Sequence, residues 1–217
     1  MTESDPILKT VPGAKYLSDI ERWVEDGVFT YPVDSLPNVY ALPVTVLLQI
    51  AMYVRYLRQI RGGEEHRRVL EGLEIGGIQG FCVGFLTATA IACSGTEEDI
   101  AAVGAISLRM AVCVGAYVDH DGCFAQPPDR TACIAVRGKG GELEKEDIAT
   151  LIHSYPGAYI SSLNDDTCIS VTAGAADIQE LTKDFQACGL RVRTVHVQGR
   201  FHSFAHVSNE VSPFGHA

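Results

Sequence analysis

Residues 76–95 read GGIQGFCVGFLTATAIACSG, and the fold of the chain turns on how this stretch is divided. The apolar pattern changes period at Cys82, from extended before it to helical after it. Cys82 stands between Gly80 and Gly84, in the form G-x-nucleophile-x-G. A buried structural cysteine needs no such neighbours. A nucleophile on a sharp strand-to-helix turn does, because glycines let strand and helix approach without a clash. On that reading VLEGLEIGGIQG (69–80) is a short strand and FLTATAIACS (85–94) a helix of small residues able to pack close to a sheet. The thiol then lies at a helix N-terminus, where the dipole and the backbone N–H groups favour negative charge. The Val83 N–H is the expected first donor to an oxyanion. On these five residues alone, an inert buried cysteine is an equal alternative.

Upstream, DSLPNVYALPVTVLLQIAMYVRYLRQIRGG (34–63) reads as a helix, with Pro43 in its first turn and a close at arginines and two glycines. Its first half is apolar nearly all round, which predicts a helix buried on most sides. Its most apolar part (40–54) is short for a membrane span and contains Gln49. The break GGEEHRR places His66 in a charged surface stretch. Downstream, Ser94 or Thr96 with Glu97 opens the helix TEEDIAAVGAISLRMAVCVGAYVD (96–119), its acids in the first turn. Helix, strand and helix in this order predict an open α/β layer.

The last third has a different rhythm. TACIAVRG is a strand, LEKEDIATLIHSY a helix, AYISSLND and TCISVTAG two strands around an Asn-Asp-Asp turn, AADIQELTKDFQACG a helix, and LRVRTVHV a strand. The order βαββαβ is that of a ferredoxin-like unit. The predicted fold class is therefore α/β, a core with a nucleophile elbow plus a ferredoxin-like (βαββαβ) subdomain. The expected division is an N-terminal segment (1–34), a core from 35–128 and 197–217, and the subdomain at 129–196.

Bulk properties narrow the function. At 217 residues with 47% apolar content the chain is globular. A net charge of −10 argues against generic nucleic-acid binding, which needs a basic face. Seven cysteines without a CxxC pair predict reduced thiols, and Cys93, Cys113, Cys123, Cys133, Cys168 and Cys188 read as packing residues. The first residues carry acids and no signal-like run, so a soluble cytoplasmic protein is expected, with no membrane contact.

A thiol nucleophile needs a base. His202 and His206 follow the last strand in GRFHSFAH, and a base from an ordered edge favours His202. The same pair, at i and i+4, could hold a metal, but no third ligand stands at suitable spacing and no metal is expected.

Three stretches, LPNVYALPVTVLLQIAMYVRYL, GFCVGFLTATAIACS and GRFHSFAH, carry a resemblance. In this order, with the ferredoxin-like insert between Cys82 and His202, the chain resembles the starter-unit acyl-carrier-protein transacylase domain of fungal non-reducing polyketide synthases. That family lies within the malonyl-transacylase superfamily, and the resemblance runs from residue 35 to 207. It implies that Cys82 accepts an acyl group from a thioester, with His202 as general base and then acid. It implies no cofactor: acyl-coenzyme A or a phosphopantetheine thioester is the substrate. Gly80, Phe81, Gly84, Arg109, Cys113, Asn164 and His206 would line the substrate side.

Family members often carry an arginine where Cys113 stands, so an uncharged acyl chain is expected, provided that Arg109 faces solvent. The family's first strand, with its glycine-rich turn and glutamine, has no counterpart in residues 1–34, and the family's segment beyond the histidine is expected to be missing too. Losing one oxyanion donor costs about 2.7–4 kcal/mol. A compact form with altered activity, such as thioester hydrolysis, is thus an expectation.

Arg55, Arg58 and Arg61, with Arg67 and Arg68 beyond, form a cluster where an acidic carrier protein or polyketide synthase could dock. The plain alternative is that they complement a helix dipole. An open sheet edge would invite a homodimer. Two rival functions remain: a degenerate scaffold that binds a synthase, and a repurposed cyclase or isomerase pocket using His202, His206 or Tyr155.

Overall fold

The computed structural model describes residues 11, 17–28, 36–59, 66–73, 76–124, 131–138 and 145–203, without the side chains at 18, 21, 121–124 and 145–147. The chain divides into two compact units, residues 1–120 and 121–217.

Among the described residues the first unit is helical: α1 (Ser18–Asp26), α2 (Asn38–Gln59), α3 (His66–Gly72), α4 (Gly84–Ala92) and α5 (Glu97–Phe124). The helix α2 begins well before Pro43, because α5 supplies its N-cap. The carboxylate of Asp119 accepts the backbone N–H of Asn38 at 3.1 Å and of Val39 at 2.8 Å, and the Asn38 side-chain amide at 2.8 Å. These N–H groups are among the orphan donors of a first turn, so a remote carboxylate sets the start that Pro43 was expected to set.

The two helices run antiparallel and close. A Cβ on Gly115 would lie 2.3 Å from the Asn38 carbonyl oxygen, and one on Gly104 would lie 3.0 Å from Ile50 Cδ1. Residues Ile100, Gly104, Ser107, Ala111, Gly115 and Val118 make the buried face of α5, at helical spacing. Start of α5 follows the capping expectation at Thr96, not Ser94. The Asp99 N–H donates to Thr96 Oγ1 (3.2 Å) and the Thr96 N–H to Asp99 Oδ2 (2.9 Å).

Three expectations fail here. The described residues of the 69–80 stretch form no strand. Their first part belongs to α3, and 77–81 run without a ladder partner among the described residues. A lone strand leaves its backbone groups unpaired, and HRRVLEG contains good helix formers. His66 is not on the surface but 3% exposed. Nor is α2 covered on most sides: Val39, Tyr40, Pro43, Val44, Val46 and Leu57 are buried, whereas Leu48 and Met52 are exposed. Both α2 and α5 are long and apolar enough to cross a membrane by length and composition alone. Their glycine contacts instead pack them on each other.

The second unit follows the expected βαββαβ order: β1 (Thr131–Arg137), α6 (Lys145–His153), β2 (Tyr159–Asp165), β3 (Cys168–Gly174), α7 (Ile178–Ala187) and β4 (Arg191–Val195). The sheet is antiparallel in the order β2-β3-β1-β4. Alternation puts Ile134, Val136, Ile169, Val171 and Ala173 on one face, where they form a core with Ile148 and Ile152 of α6 and Leu181 and Phe185 of α7. Gly189 ends α7 in the left-handed region (φ +81°), and the Leu190 N–H reaches back to the Phe185 carbonyl at 3.0 Å. The hairpin turn is Asp166–Thr167, and Asn164 lies inside β2.

Candidate active site

Two residues other than glycine have positive φ among the described residues, and they are Cys82 (+52°) and His202 (+55°). An L-residue in the left-handed region costs roughly 1–2 kcal/mol and is held there by its surroundings. At Cys82 those surroundings are the elbow itself. A Cβ on Gly80 would lie 2.3 Å from the Gly84 carbonyl oxygen and 2.5 Å from Phe85 Cα. Only glycine permits that approach. Gly84 has open space around its Cα and ordinary φ, so of the two glycines only Gly80 is sterically required.

The first turn of α4 is tight. The Gly84 N–H donates to the Phe81 carbonyl (2.9 Å), Phe85 to Cys82 (3.0 Å) and Leu86 to Val83 (3.1 Å). These i to i−3 bonds use the donors that follow Val83 and leave the Val83 N–H without a partner among the described residues. Cys82 is exposed, and Phe81 and Phe85 beside it are 70% and 62% exposed. The thiol thus stands amid apolar surface next to one available backbone donor.

Behind the elbow, α4 is locked. Thr87 Oγ1 donates to Gln49 Oε1 at 2.6 Å, and Ser107 Oγ to the Leu86 carbonyl at 3.0 Å. His66 ties its far end. Its Nε2 lies 2.9 Å from the Ser94 carbonyl and its Nδ1 2.7 Å from the Tyr53 hydroxyl. A carbonyl only accepts, so Nε2 carries the proton and Nδ1 accepts from Tyr53. Nothing in the sequence beyond the presence of a histidine points to this brace.

His202 is exposed, in a turn after β4. The turn is pinned to the sheet twice: Tyr159 Oη donates to the Phe201 carbonyl at 2.8 Å, and the Gly199 N–H to Thr131 Oγ1 at 2.7 Å. Neither Tyr159 nor Thr131 was foreseen, since strand residues at such positions read as ordinary packing.

The remaining candidates fall as follows. Arg109 and Cys113 are exposed one turn apart on α5, on a face that also shows Ile106, Met110, Val114 and Tyr117 to solvent. Asn164 braces the hairpin, accepting from Ser162 Oγ (2.9 Å) and donating to Ser170 Oγ (3.0 Å). Arg55 bonds Gln59 (2.8 Å), and Arg58 pairs with Glu97 (2.5 Å). Arg61 and His206 lie outside the described residues. Cys133 and Cys168 are buried as expected, but Cys93, Cys113 and Cys188 are exposed, each on or beside a helix face that no described residue covers.

The family described as "Starter unit:ACP transacylase in aflatoxin biosynthesis" matches residues 14–202. Among curated relatives, the chain is 33% identical over 210 residues to the non-reducing polyketide synthase spyA of Aspergillus fumigatus, covering 95% of this chain and 11% of that protein. It is 34% identical over 207 residues to methylphloroacetophenone synthase of Cladonia uncialis (95% of this chain, 8% of that one). It is also 34% identical over 205 residues to 5-methylorsellinic acid synthase of Aspergillus terreus (94% and 8%). The chain therefore spans only about a tenth of the length of these relatives. Among solved structures, it is similar to the acyl-carrier-protein-S-malonyltransferase of Bartonella henselae (TM-score 0.53, 17% identity, 94% of this chain and 59% of that one). It is similar too to the acyltransferase domain from module 8 of the salinomycin polyketide synthase (TM-score 0.52, 17% identity, 96% and 44%). At such identity these two show the fold.

Proposed function

The chain belongs to the starter unit:ACP transacylase family, and from that premise we propose that it transfers an acyl group between thioesters in polyketide biosynthesis, through Cys82. The observation that carries this reading is the left-handed backbone at Cys82, enforced by the Gly80–Gly84 contact beside the unpartnered Val83 N–H. A structural cysteine needs none of these.

In the proposed first step a base takes the Cys82 proton and the sulfur attacks the carbonyl carbon of the donor thioester. The carbonyl oxygen gains negative charge, and the Val83 N–H donates to it. Collapse of the tetrahedral intermediate breaks the bond to the donor sulfur, which leaves with the proton as a free thiol. The acyl group is then a thioester on Cys82. The second step repeats the first with an acceptor thiol, restoring the Cys82 thiol; water in place of the acceptor gives hydrolysis. His202 is the proposed base and then acid, on the strength of its strained φ and its pinned turn. The donor would be acyl-coenzyme A or an acyl carrier protein, and the apolar surface of Phe81 and Phe85 favours an uncharged chain. An intracellular setting follows from such substrates.

Of the rival readings, an acid or base role for Tyr155 is the weakest. Its hydroxyl donates to Asp184 at 2.5 Å, and that hydrogen bond foremost pushes its pKa up to about 12. Steady-state thioester turnover tests the proposal. Cys82→Ala should abolish turnover and His202→Ala should cut it about 10²–10⁴-fold. Unchanged turnover in Cys82→Ala would refute the mechanism.

A further inference from the structure

The geometry points to an anion site on the open face of the ferredoxin-like sheet, built by Arg137, Arg191 and Arg193, that takes the phosphate group of a small organic ligand. Register fixes the arrangement. Arg137 of β1 lies directly opposite Arg191 of β4, and Ala135 opposite Arg193, so the three arginines fall on one face. That face is the reverse of the one that packs on α6 and α7, which carries Ile134, Val136 and Ile169; it is open at its arginine end, while Cys133 and Thr172 further along are buried. Together with Ala135 and Cys168 the three arginines line a concavity of about 420 Å³.

Like charges directly opposite in a ladder destabilise it, and neighbouring strands bring such side chains within about 5 Å at Cβ. Arg137 is partly answered, by Asp165 (2.9 Å) and Thr167 Oγ1 (2.9 Å), which also fix its direction. Arg191 and Arg193 are exposed and have no carboxylate partner among the described residues. In a chain of net charge −10, two unanswered guanidinium groups beside a third, around one hollow, form an unusual concentration of positive potential. An anion bound between them would relieve their repulsion.

The shape selects the anion. One guanidinium fork matches a carboxylate or a phosphate alike, but three around one hollow call for more oxygens and more charge than a lone carboxylate has, which favours phosphate. The short side chains of Ala135 and Cys168 leave depth at the floor, and the volume lies in the range of small-molecule sites. A protein partner would need a broader surface, of about 800 Å² on each side. The Arg55 and Arg58 cluster is the poorer candidate, since Arg58 is already paired with Glu97.

The geometry of this site stands without the acyl-transfer reading, which supplies only the choice of probes, and the test leaves Cys82 alone. Titration calorimetry on the full chain would use adenosine 3′,5′-bisphosphate and phosphopantetheine as separate probes, with an acidic polyglutamate peptide as a third. Saturable binding of either phosphate probe is expected, with affinity at least tenfold weaker in Arg191→Gln/Arg193→Gln and partly kept in Arg191→Lys/Arg193→Lys. Thermal melts should show the variants folded, since both positions are exposed. Which probe binds tells a nucleotide phosphate from a phosphopantetheine arm. Failure of both phosphate probes, affinity untouched by the substitutions, or arginine-dependent binding of polyglutamate alone would overturn the proposal.

Discussion

The Cα of Gly80 faces the carbonyl of Gly84 so closely that a methyl group on it would stand 2.3 Å from the oxygen, while a methyl group on Gly84 would meet nothing within 4 Å. The elbow therefore depends on one glycine of its pair. Gly80→Ala should destabilise the chain by about 1–3 kcal/mol, the usual cost of forcing an extra carbon into packed structure, and should displace Cys82. Gly84→Ala, inside α4, should be neutral or stabilise by about 0.4–1 kcal/mol. Thermal melts of the two variants check this, and equal losses would contradict it.

Asp119 caps α2 from α5, and its removal tests whether that link organises the first unit. Asp119→Ala should cost about 0.5–2 kcal/mol in urea unfolding. Its pH dependence has a definite sign. Burial raises the Asp119 carboxyl above its ordinary value, outweighing the hydrogen bonds from Val39 and Asn38 that pull it down. The folded state thus holds a proton that the unfolded chain has released, between 3.8 and the raised folded value. Relative to Asp119→Asn, wild-type stability should fall as pH rises through that window.

His66 joins Tyr53 to the end of α4 and is the one buried histidine among the described residues. Tyr53→Phe leaves Nδ1 without its donor, and His66→Leu leaves both Tyr53 and the Ser94 carbonyl unanswered, at about 1–3 kcal/mol for each stranded group. Because the two residues share one bond, a double-mutant cycle should show a coupling of about 0.5–3 kcal/mol. Additive losses would mean that the brace is incidental.

Tyr159 fixes the turn of His202 through the Phe201 carbonyl. Tyr159→Phe should lower kcat for thioester turnover several-fold and move the melting temperature little, since the lost bond is worth about 0.5–1.5 kcal/mol. A large loss of stability with unchanged kcat would make Tyr159 a packing residue only.

What could be read in the sequence followed the strength of local signals. The βαββαβ unit was legible because its boundaries carry their own marks, such as Gly189 after α7, although the hairpin turn falls at Asp166–Thr167 and not on the Asn-Asp-Asp run (164–166). The turn into α4 at Cys82 was legible from the G-x-C-x-G pattern, although the strand expected before it does not form and an inert cysteine was an equal reading of those five residues. Legibility failed where a remote partner decides. Pro43 looked like a helix start, but Asp119, some eighty positions away, sets it. Residues 69–80 looked like a strand because their apolar pattern suits one, yet pattern cannot supply the ladder partner that a strand requires. His66 sits among charges in sequence and is buried in space, because α3 turns it toward Tyr53. His202 follows the last strand, as its sequence position suggests, but the side chains that hold its turn, Tyr159 and Thr131, come from distant strands.

Whether Cys82 carries an acyl group is read by intact-protein mass spectrometry. The wild-type chain and Cys82→Ala would each be mixed with a panel of acyl-coenzyme A thioesters and weighed. A mass gain of one acyl group in the wild type, absent from Cys82→Ala, is expected. No adduct together with no loss of thioester, or an equal adduct on both proteins, would contradict it.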